Sequence, residues 1–382
     1  MKHYLTHARV VLADEVLEDA AVLIEGGIIR AIAPESANGT AETNLGGQWL
    51  MPGMIDLHCD AIEKEAEPRT RVIFPLDFAC LNIDRRNAAA GVTTPFHALS
   101  FAHEEWGVRS NDTAAELVRA AKRMKTSELV DNRVHVRYEI TDITAMSTIL
   151  ELLDEGSVDL LSIMDHTPGQ GQFKHLESYV AYMTGNHGSS REAAVQIAEE
   201  KMRARETADE RALTVMARAR ARGIPTASHD DDDYRRIETM KGLGASMSEF
   251  PIDLATARAA HGAGLATIFG APNVMRGGSQ SGNIRAIDAI QAGVADCLCA
   301  DYAPATMLEA VSALATRDGL PLHEAARLVS RGPARAVGLH DRGEIAVGKR
   351  ADLISVGHPG GRPTVTGTWS QGRRVFAVSY PG

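Results

Sequence analysis

Short apolar runs alternate with helical stretches between residues 51 and 335, and this pattern is typical of parallel β-α-β units. Eight of the runs predict strands, which cover residues 54–58, 92–99, 134–140, 160–166, 225–229, 245–250, 266–270 and 297–301. Eight units in about 280 residues fit an α/β fold of the TIM (β/α)8 barrel type better than an open sheet. Residues 190–222 predict one long helix or two consecutive helices, whose mixed charges indicate a solvent-exposed face.

The two ends of the chain are rich in predicted strands. Residues 20–32 contain two apolar runs separated by Gly26-Gly27, which predicts a hairpin, and residues 343–356 and 373–378 also predict strands. Neither end alone is long enough to bury a core. We therefore expect one small β-sandwich domain formed jointly by residues 1–50 and 336–382, beside a barrel domain at residues 51–335.

Composition narrows the class of protein. The chain has 382 residues and a net charge of −10, from 40 Lys+Arg and 50 Asp+Glu, which argues against a nucleic-acid partner because phosphate backbones select a basic face. No run reaches the roughly 18 apolar residues of a membrane span, and the first residues do not resemble a secretion signal. We therefore expect a cytoplasmic enzyme with no membrane partner.

Several predicted strands end in residue types that bind metal ions. The carboxyl ends of barrel strands converge on one mouth, and residues two apart on a strand point to the same side. Each such residue alone is more often an ordinary polar side chain, and the acidic run 230–233 also suits a helix N-terminus. Together they supply enough nitrogen and oxygen ligands for two divalent ions. The candidates are His58, Asp60, Glu139, His166, His229 and Asp301.

The four cysteines do not extend this set. Cys297 and Cys299 are spaced for one face of a strand, but no second pair completes a zinc motif, so we expect both to be buried apolar residues. Cys59 lies between two candidate ligands and should point away from them, which argues against a nucleophile. Four cysteines are also too few for a disulfide framework in a chain of this length.

Two loops have the composition of anion-binding segments. Residues 270–283 (GAPNVMRGGSQSGN) combine Arg276 with consecutive glycines, hydroxyls and Asn283, and loops after the last barrel strands commonly bind phosphate. The alternative is a flexible surface loop. Residues 167–174 (TPGQGQFK) follow the fourth strand, and Lys64, Arg69 and Arg71 follow the first. These three cations are equally compatible with an ordinary surface.

The chain resembles the amidohydrolase superfamily. Residues 50–58 (LMPGMIDLH) are similar to the opening motif of that superfamily and residues 343–353 to its closing motif. More specifically, the chain resembles the PhnM-type enzymes of the carbon–phosphorus lyase pathway over essentially its whole length. The segments that carry this resemblance are 164–170 (MDHTPGQ), 228–231 (SHDD), 249–251 (EFP), 270–273 (GAPN), 276–279 (RGGS), 281–283 (SGN) and 301–302 (DY).

This resemblance implies hydrolysis of α-D-ribose 1-methylphosphonate 5-triphosphate to the 5-phosphate, with release of pyrophosphate. A metal-bound hydroxide would attack the α-phosphorus, with Glu139 bridging two ions of zinc or of Mn, Fe or Ni, and Asp301 serving as ligand and general base. A homodimer is the expected assembly. Candidate residues for binding the phosphorylated sugar are Lys64, Gln170, Lys174, Asp230, Arg276, Gly277, Gly278, Ser279, Ser281 and Asn283.

Three residues depart from the family pattern. Gln280 stands where the family commonly has His, Ala300 replaces a Ser, and Ala303 occupies the place of a second Tyr. Gln280 removes one proton donor or phosphate contact. The alternative function is hydrolysis of a C–N bond in a cyclic amide, an N-acyl amino acid or a nucleobase, and a third is a non-catalytic subunit. The Arg276 loop favours a polyphosphate over a neutral amide, and the complete ligand set favours an enzyme.

Overall fold

The structure of the chain is a computed structural model. It describes residues 2–33, 41–69, 72–102, 110–169, 175–187, 190–280 and 282–380. Among the helices in these ranges, none is both long enough and apolar enough to cross a lipid bilayer.

The described residues contain sixteen strands. In chain order these are β1 (Lys2–Val11), β2 (Val16–Glu25), β3 (Ile28–Ala33), β4 (Ala41–Asn44), β5 (Trp49–Pro52), β6 (Met54–Cys59), β7 (Val92–Phe101), β8 (Arg133–Glu139), β9 (Leu160–Met164), β10 (Thr226–His229), β11 (Met247–Glu249), β12 (Ala266–Gly270), β13 (Cys297–Cys299), β14 (Leu353–Gly357), β15 (Thr364–Ser370) and β16 (Arg373–Ala377).

The same part of the chain contains fourteen α-helices. They are α1 (Ala61–Ala66), α2 (Leu76–Ala90), α3 (Asn111–Arg123), α4 (Ala145–Asp154), α5 (Leu176–His187), α6 (Arg191–Arg205), α7 (Ala208–Ala221), α8 (Tyr234–Leu243), α9 (Leu254–Gly262), α10 (Ala271–Arg276), α11 (Ala286–Gln291), α12 (Thr306–Thr316), α13 (Leu322–Arg327) and α14 (Arg331–Ala336).

Strands β6 to β13 form the predicted barrel, in which each strand pairs in parallel with the next along the chain. The barrel closes where β13 meets β6: the N–H of Asp301 donates to the carbonyl of His58 (2.9 Å), and the N–H of Asp60 donates to the carbonyl of Asp301 (3.0 Å). All eight predicted strands are confirmed. Because β9 ends at Met164 and β13 at Cys299, His166 and Asp301 lie just beyond the strand ends.

Side chains at the helix starts explain where several of the outer helices begin. Ser110, Asp233 and Asp253 each accept a hydrogen bond from a backbone N–H of the first turn of α3, α8 and α9, as N-capping residues do. The cap at Asp233 confirms that the acidic run ends at a helix N-terminus. Helices α6 and α7 are the two consecutive helices predicted for residues 190–222.

Eight strands from the two ends of the chain form a second, mainly antiparallel sheet, here called the terminal sheet. Its order is β16-β15-β14-β5-β1-β2-β3, with β4 paired to β1, and the β5–β14 pair joins the two ends. A hydrophobic cluster that includes Leu5, Leu50, Leu353 and Trp369 packs within it. The prediction of one β unit from both termini is therefore confirmed, while the domain borders at residues 50 and 336 stay a prediction.

Glycines decide the turns of the terminal sheet. Gly26 and Gly27 have φ values of +62° and +80° between β2 and β3, which confirms the predicted hairpin. The predicted strand at residues 343–356 is largely wrong, since β14 begins only at Leu353. Gly343 and Gly348, with φ of +86° and +90°, turn the chain before that point.

Candidate active site

The carboxyl ends of the barrel strands open into one cavity of about 270 Å³, here called the mouth cavity. Five of the six predicted metal ligands line it: His58, Asp60, His166, His229 and Asp301. The sixth, Glu139, is buried, and its Oε2 lies 3.1 Å from Nδ1 of His166. Residues spread over about 240 positions of the sequence thus come together, as expected for a barrel.

The residues of this cavity fit a pair of metal ions. Two groups of three residues each bring their ligand atoms within 4.8 Å of one another. One group is His58, His229 and Glu249, and the other is His166, His229 and Asp230. His229 belongs to both groups. Imidazole and carboxylate are the ligands that divalent first-row metals accept, so the chain offers nitrogen and oxygen donors to two neighbouring ions.

Glu249 is a residue that the sequence analysis did not assign to the site. It is fully buried, and its Oε1 lies 3.1 Å from Nδ1 of His58. Its Oε2 lies 3.8 Å from Nε2 of His135 and has no hydrogen-bond partner among the described residues. Burial and the nearby charge of Arg137 lower the pKa of His58 well below its usual value. This shift favours the neutral form of His58, which metal binding requires.

Glu139 and His166 are in direct contact, since Oε2 of Glu139 lies 3.1 Å from Nδ1 of His166. Oε1 of Glu139 accepts a hydrogen bond from Oγ1 of Thr141 (2.7 Å), and Nζ of Lys201 lies 3.7 Å from Oε2. Burial alone would raise the pKa of Glu139, but Lys201 and the contacts with His166 and Thr141 hold this pKa well below its usual value. Burial opposes the charged form of His166, but the Asp230 and Glu139 carboxylates raise the pKa of that ring to about 10.

Asp301 is held against the end of β6 by backbone hydrogen bonds. Burial and the Asp60 carboxylate raise the pKa of Asp301 to about 7, against the opposing charge of Arg137. The buried Asp56 accepts hydrogen bonds from the N–H groups of His58 (3.2 Å) and Ala300 (2.9 Å). Asp56 therefore fixes the position of β6 relative to the segment that carries Asp301.

Three non-glycine residues at the mouth have left-handed backbone conformations. They are Asp230, Phe250 and Asp301, with φ of +54°, +56° and +55°. Each donates its N–H to a carbonyl of the neighbouring strand at 2.9 Å, on Glu249, Ile268 and His58 respectively. Such residues cost about 1 to 3 kcal/mol each and cluster at functional sites. Here Asp230 and Phe250 directly follow β10 and β11, and Asp301 lies two residues after β13.

Asp165 and Asp231, two carboxylates of the family motifs, bind groups in the loops and do not line the cavity. Asp165 accepts hydrogen bonds from the N–H and hydroxyl of Thr167, while its other oxygen lies 2.7 Å from Nε of Arg205. Asp231 accepts from the hydroxyl of Ser248 at 2.5 Å. Arg236 lies between them, 3.9 Å from Asp165 and 3.6 Å from Asp231. These ion pairs connect the loops that carry His166 and His229.

The predicted anion loop reaches the mouth cavity with most of its residues. The predicted substrate ligand Asp230 lines the cavity as well, and the lining members of the loop are Gly270, Pro272, Asn273, Arg276, Gly278, Ser279, Gln280 and Asn283. Asn273 holds this loop closed, since its side chain bonds the carbonyl of Ile284 (3.0 Å) and the N–H of Ala286 (2.9 Å).

Other predicted substrate residues are not brought to the cavity lining. Gly277 has φ of +74° and ends α10, and Lys64 is exposed on α1. The predicted residues Gln170, Lys174 and Ser281 lie outside the described residues, as do Arg71 and Gln172.

Polar cavity residues that the sequence analysis did not assign to the site come from β7, β8, α5, α6 and the segment after β13. They are Ser100, Arg137, Tyr179, Tyr182, Lys201 and Tyr302. Strand alternation gave a signal for Arg137: Val136 and Tyr138 pack outward in the hydrophobic cluster under the helices, so Arg137 and Glu139 point inward. No such signal existed for Lys201, whose helix α6 was predicted to be solvent-exposed; that prediction is wrong at this side chain, which is 13% exposed.

The cysteines confirm their predicted structural role. Cys59, Cys80, Cys297 and Cys299 are all buried and unpaired. Cys59 packs in the hydrophobic cluster with Ile62 and Leu99, away from the cavity lining. Burial raises the pKa of each of these four thiols, which argues against a thiolate nucleophile.

Comparison with known proteins identifies the family. A model of the amidohydrolase family matches residues 93–375. The α-D-ribose 1-methylphosphonate 5-triphosphate diphosphatase of Escherichia coli (strain K12) is 32% identical over 377 residues, which are 97% of this chain and 100% of that protein.

Solved structures with this fold extend the comparison. N-Acetyl-D-glucosamine-6-phosphate deacetylase from Mycobacterium smegmatis superimposes with a TM-score of 0.66 at 19% identity, covering 98% of this chain and 100% of that one. Dihydropyrimidinase from Brevibacillus agri has a TM-score of 0.58 at 14% identity, covering 99% and 95%. At these identities the solved structures show a shared fold alone. The motif resemblance, the family match and the full-length relative agree: the chain belongs to the amidohydrolase family.

Proposed function

We propose that this amidohydrolase-family hydrolase releases pyrophosphate from α-D-ribose 1-methylphosphonate 5-triphosphate. The observation that carries the proposal is that Arg276, Gly278 and Ser279 line the same cavity as the histidine and carboxylate cluster. A cationic loop beside such a cluster suits a polyphosphate. The full-length similarity to the diphosphatase of Escherichia coli supports the same substrate.

The residues that would hold two divalent ions are His58, Asp60, His166 and His229, together with Glu139, which both ions would share, and Asp301. The geometry adds Glu249 and Asp230 as further donors. Zinc is the expected metal, and Mn, Fe or Ni suit the same donors. Bound at this place, the ions would lower the pKa of a water molecule and neutralise negative charge on the phosphoryl oxygens.

Asp301 acts on the attacking water. Its backbone is fixed to His58 and Asp60, so its carboxylate is held beside the ligand cluster. Asp301 orients the water and accepts its proton. The new bond forms at the α-phosphorus, and the bond from the α-phosphorus to the bridging oxygen of the β-phosphate breaks.

The loop at residues 276–279 receives the leaving pyrophosphate. Arg276 offers charged donors, and Gly278 and Ser279 line the cavity beside it. Gln280 lines the cavity in the place where relatives commonly have His, so an amide and not an imidazole faces the substrate there. Loss of one charged contact of this kind reduces a rate by about tenfold to a thousandfold.

Pyrophosphate release by metal-reconstituted protein tests the function. We expect pyrophosphate from the wild type, almost none from Asp301→Asn, and wild-type rates from Asp14→Asn, an exposed control far from the cavity. Release of orthophosphate alone would mean attack at the γ-phosphorus and would contradict the proposed placement. No release from fully metallated protein, with turnover of dihydroorotate, hydantoin or an N-acyl amino acid, would establish the alternative amide hydrolase.

We also propose that the chain forms a homodimer, as the resemblance to its superfamily implies, and that it acts in the cytoplasm. Sedimentation equilibrium of the metal-loaded protein checks the assembly. A single species at the monomer mass of 41.0 kDa would contradict it.

A further inference from the structure

Arg137 is a buried cation on the inner side of the barrel. Its side chain is 9% exposed, and its Nε and Nη2 atoms have no hydrogen-bond partner among the described residues. The nearest carboxylate oxygen is Oε1 of Glu63, 4.0 Å from Nη2, which is beyond hydrogen-bond distance. That oxygen already accepts a hydrogen bond from the N–H of Ser100 (3.3 Å).

Such a guanidinium is costly to bury without a partner of opposite charge, because removing an ion from water costs several kcal/mol. Two other buried arginines have acceptors at hydrogen-bond distance. Arg211 donates to the carbonyls of Ile140 and Ala204 at 2.7 to 3.0 Å, and Arg342 lies 2.6 Å from Asp131. Arg137 differs from both, because within the described ranges neither its Nε nor its Nη2 has an acceptor at hydrogen-bond distance.

Arg137 also lies at the reacting end of the mouth cavity. It lines this cavity with His58, Asp60, Ser100 and Asp301, and its charge contributes to the pKa shifts of His58 and Asp301. Arg276, by contrast, is exposed at the end of the short helix α10. The two arginines therefore stand at different depths of one cavity.

Any cation bound by the neighbouring ligands would repel this guanidinium. A group that satisfies both must be negatively charged and must carry several oxygens. A phosphoryl group has these properties, and planar guanidinium is the side chain best suited to bind it.

We propose that Arg137 binds the phosphoryl group that undergoes attack, the α-phosphoryl group of the triphosphate, while Arg276 binds the leaving pyrophosphate. This inference rests on the proposed function and adds a residue that contacts the reacting group. It divides the triphosphate between a deep subsite at Arg137 and an outer subsite at Arg276.

Binding of ribose 5-phosphate, which carries a phosphoryl group without a leaving pyrophosphate, tests the deep subsite. Calorimetric titration of metal-free and metal-loaded protein compares wild type with Arg137→Gln, Arg137→Lys, Arg276→Gln and the exposed control Arg30→Gln. We expect Arg137→Gln to weaken binding at least tenfold, Arg137→Lys to weaken it less, and the other two to change it less than threefold. Far-UV circular dichroism and metal content confirm that each variant is folded and loaded.

Steady-state kinetics provide the second readout. Arg137→Gln should lower kcat by about a hundredfold to a thousandfold with little change in KM, because its contact strengthens as charge develops in the transition state. Arg276→Gln should affect pyrophosphate affinity and KM more strongly.

The outcomes separate the inference from the function on which it rests. Unchanged ribose 5-phosphate affinity in Arg137→Gln, with pyrophosphate still released by the wild type, overturns the subsite and leaves the function. Arg137-dependent binding without pyrophosphate release by the wild type overturns the function and leaves the subsite. If Arg137→Gln loses its metals or does not fold while Arg137→Lys binds like the wild type, the role is structural and the inference fails. Tighter Arg137-dependent binding of N-acetylaspartate than of ribose 5-phosphate would assign a carboxylate instead.

Discussion

At the scale of single residues, His58 and Glu249 show how the fold prepares a metal ligand. A histidine that binds a metal through one ring nitrogen commonly donates the N–H of the other to a carboxylate, which fixes its tautomer and orientation. The buried carboxylate of Glu249 lies 3.1 Å from Nδ1 of His58, which leaves Nε2 available to a metal.

Replacement of Glu249 by Gln should therefore weaken metal binding. We expect a loss of about 10-fold to 100-fold in metal affinity, the range seen when outer carboxylates are removed. The measurement is metal content by mass spectrometry after equilibration with graded chelator. Glu238→Gln, an exposed change on α8, is the control and should bind metal like the wild type. Equal metal affinity of the two variants would contradict the role of Glu249.

At the scale of elements, Gly91 joins α2 to β7 and contacts the terminal sheet. It has φ of +80°, and a Cβ atom at this position would lie 3.1 Å from Ile354 and Val365. Gly156, which follows α4, also has positive φ (+68°) but no atom within 4 Å of such a Cβ. The two glycines therefore share the backbone requirement and differ in the space around them.

Gly91→Ala should lower the free energy of unfolding more than Gly156→Ala. The left-handed conformation alone costs an alanine about 1 kcal/mol, and the crowded contacts at Gly91 add about 1 to 3 kcal/mol more. Denaturant unfolding of both variants beside the wild type measures this difference. Equal destabilisation would show that α2 and the terminal sheet adjust freely at this contact.

At the scale of the whole molecule, a cluster of charges joins the barrel to the C-terminal segment. Asp131, directly before β8, lies 2.6 Å from Arg342, 2.7 Å from Lys125 and 3.1 Å from Arg133. Burial would raise the pKa of Asp131, but these cations hold it well below its usual value. Arg342 also donates to the hydroxyl of Thr94 at 3.1 Å.

The folded state should therefore lose stability in acid at this cluster. A carboxyl whose pKa is lower in the folded than in the unfolded protein stabilises fully above its unfolded pKa, about 3.9, and loses this contribution as the pH falls further. Asp131→Asn should lower the free energy of unfolding by about 3 to 5 kcal/mol at pH 7. Its deficit relative to the wild type should shrink as the pH falls below about 4.

Denaturant unfolding of metal-free protein between pH 7 and pH 2 tests this, since metal binding itself depends on pH. Asp154→Asn, which removes an exposed pair with Arg218, is the control and should change little at any pH. A deficit for Asp131→Asn that stays constant down to pH 2 would contradict the lowered pKa.

Features that depend on neighbouring residues in the sequence could be predicted, whereas contacts between distant residues could not. Strands such as 160–164 (LLSIM) are short apolar runs, and His58, His166, His229 and Asp301 lie at or just beyond the ends of such strands, so their meeting at one mouth followed from the barrel topology. Lys201 was misjudged because a lysine on a charged helix has no local feature that marks it as facing a cavity.

By itself, the sequence of this protein determined the eight strand–helix units, the joint β unit of the two termini and the strand-end residues that form the candidate site, because periodicity and strand ends are local properties. Only the tertiary structure decided that Glu249 contacts His58 across 191 positions, that Nε and Nη2 of Arg137 are buried with no hydrogen-bond partner among the described residues, and that Lys201 faces the cavity. These contacts depend on how far each strand is staggered and how each helix is rotated in the closed barrel. Packing of the whole molecule sets both.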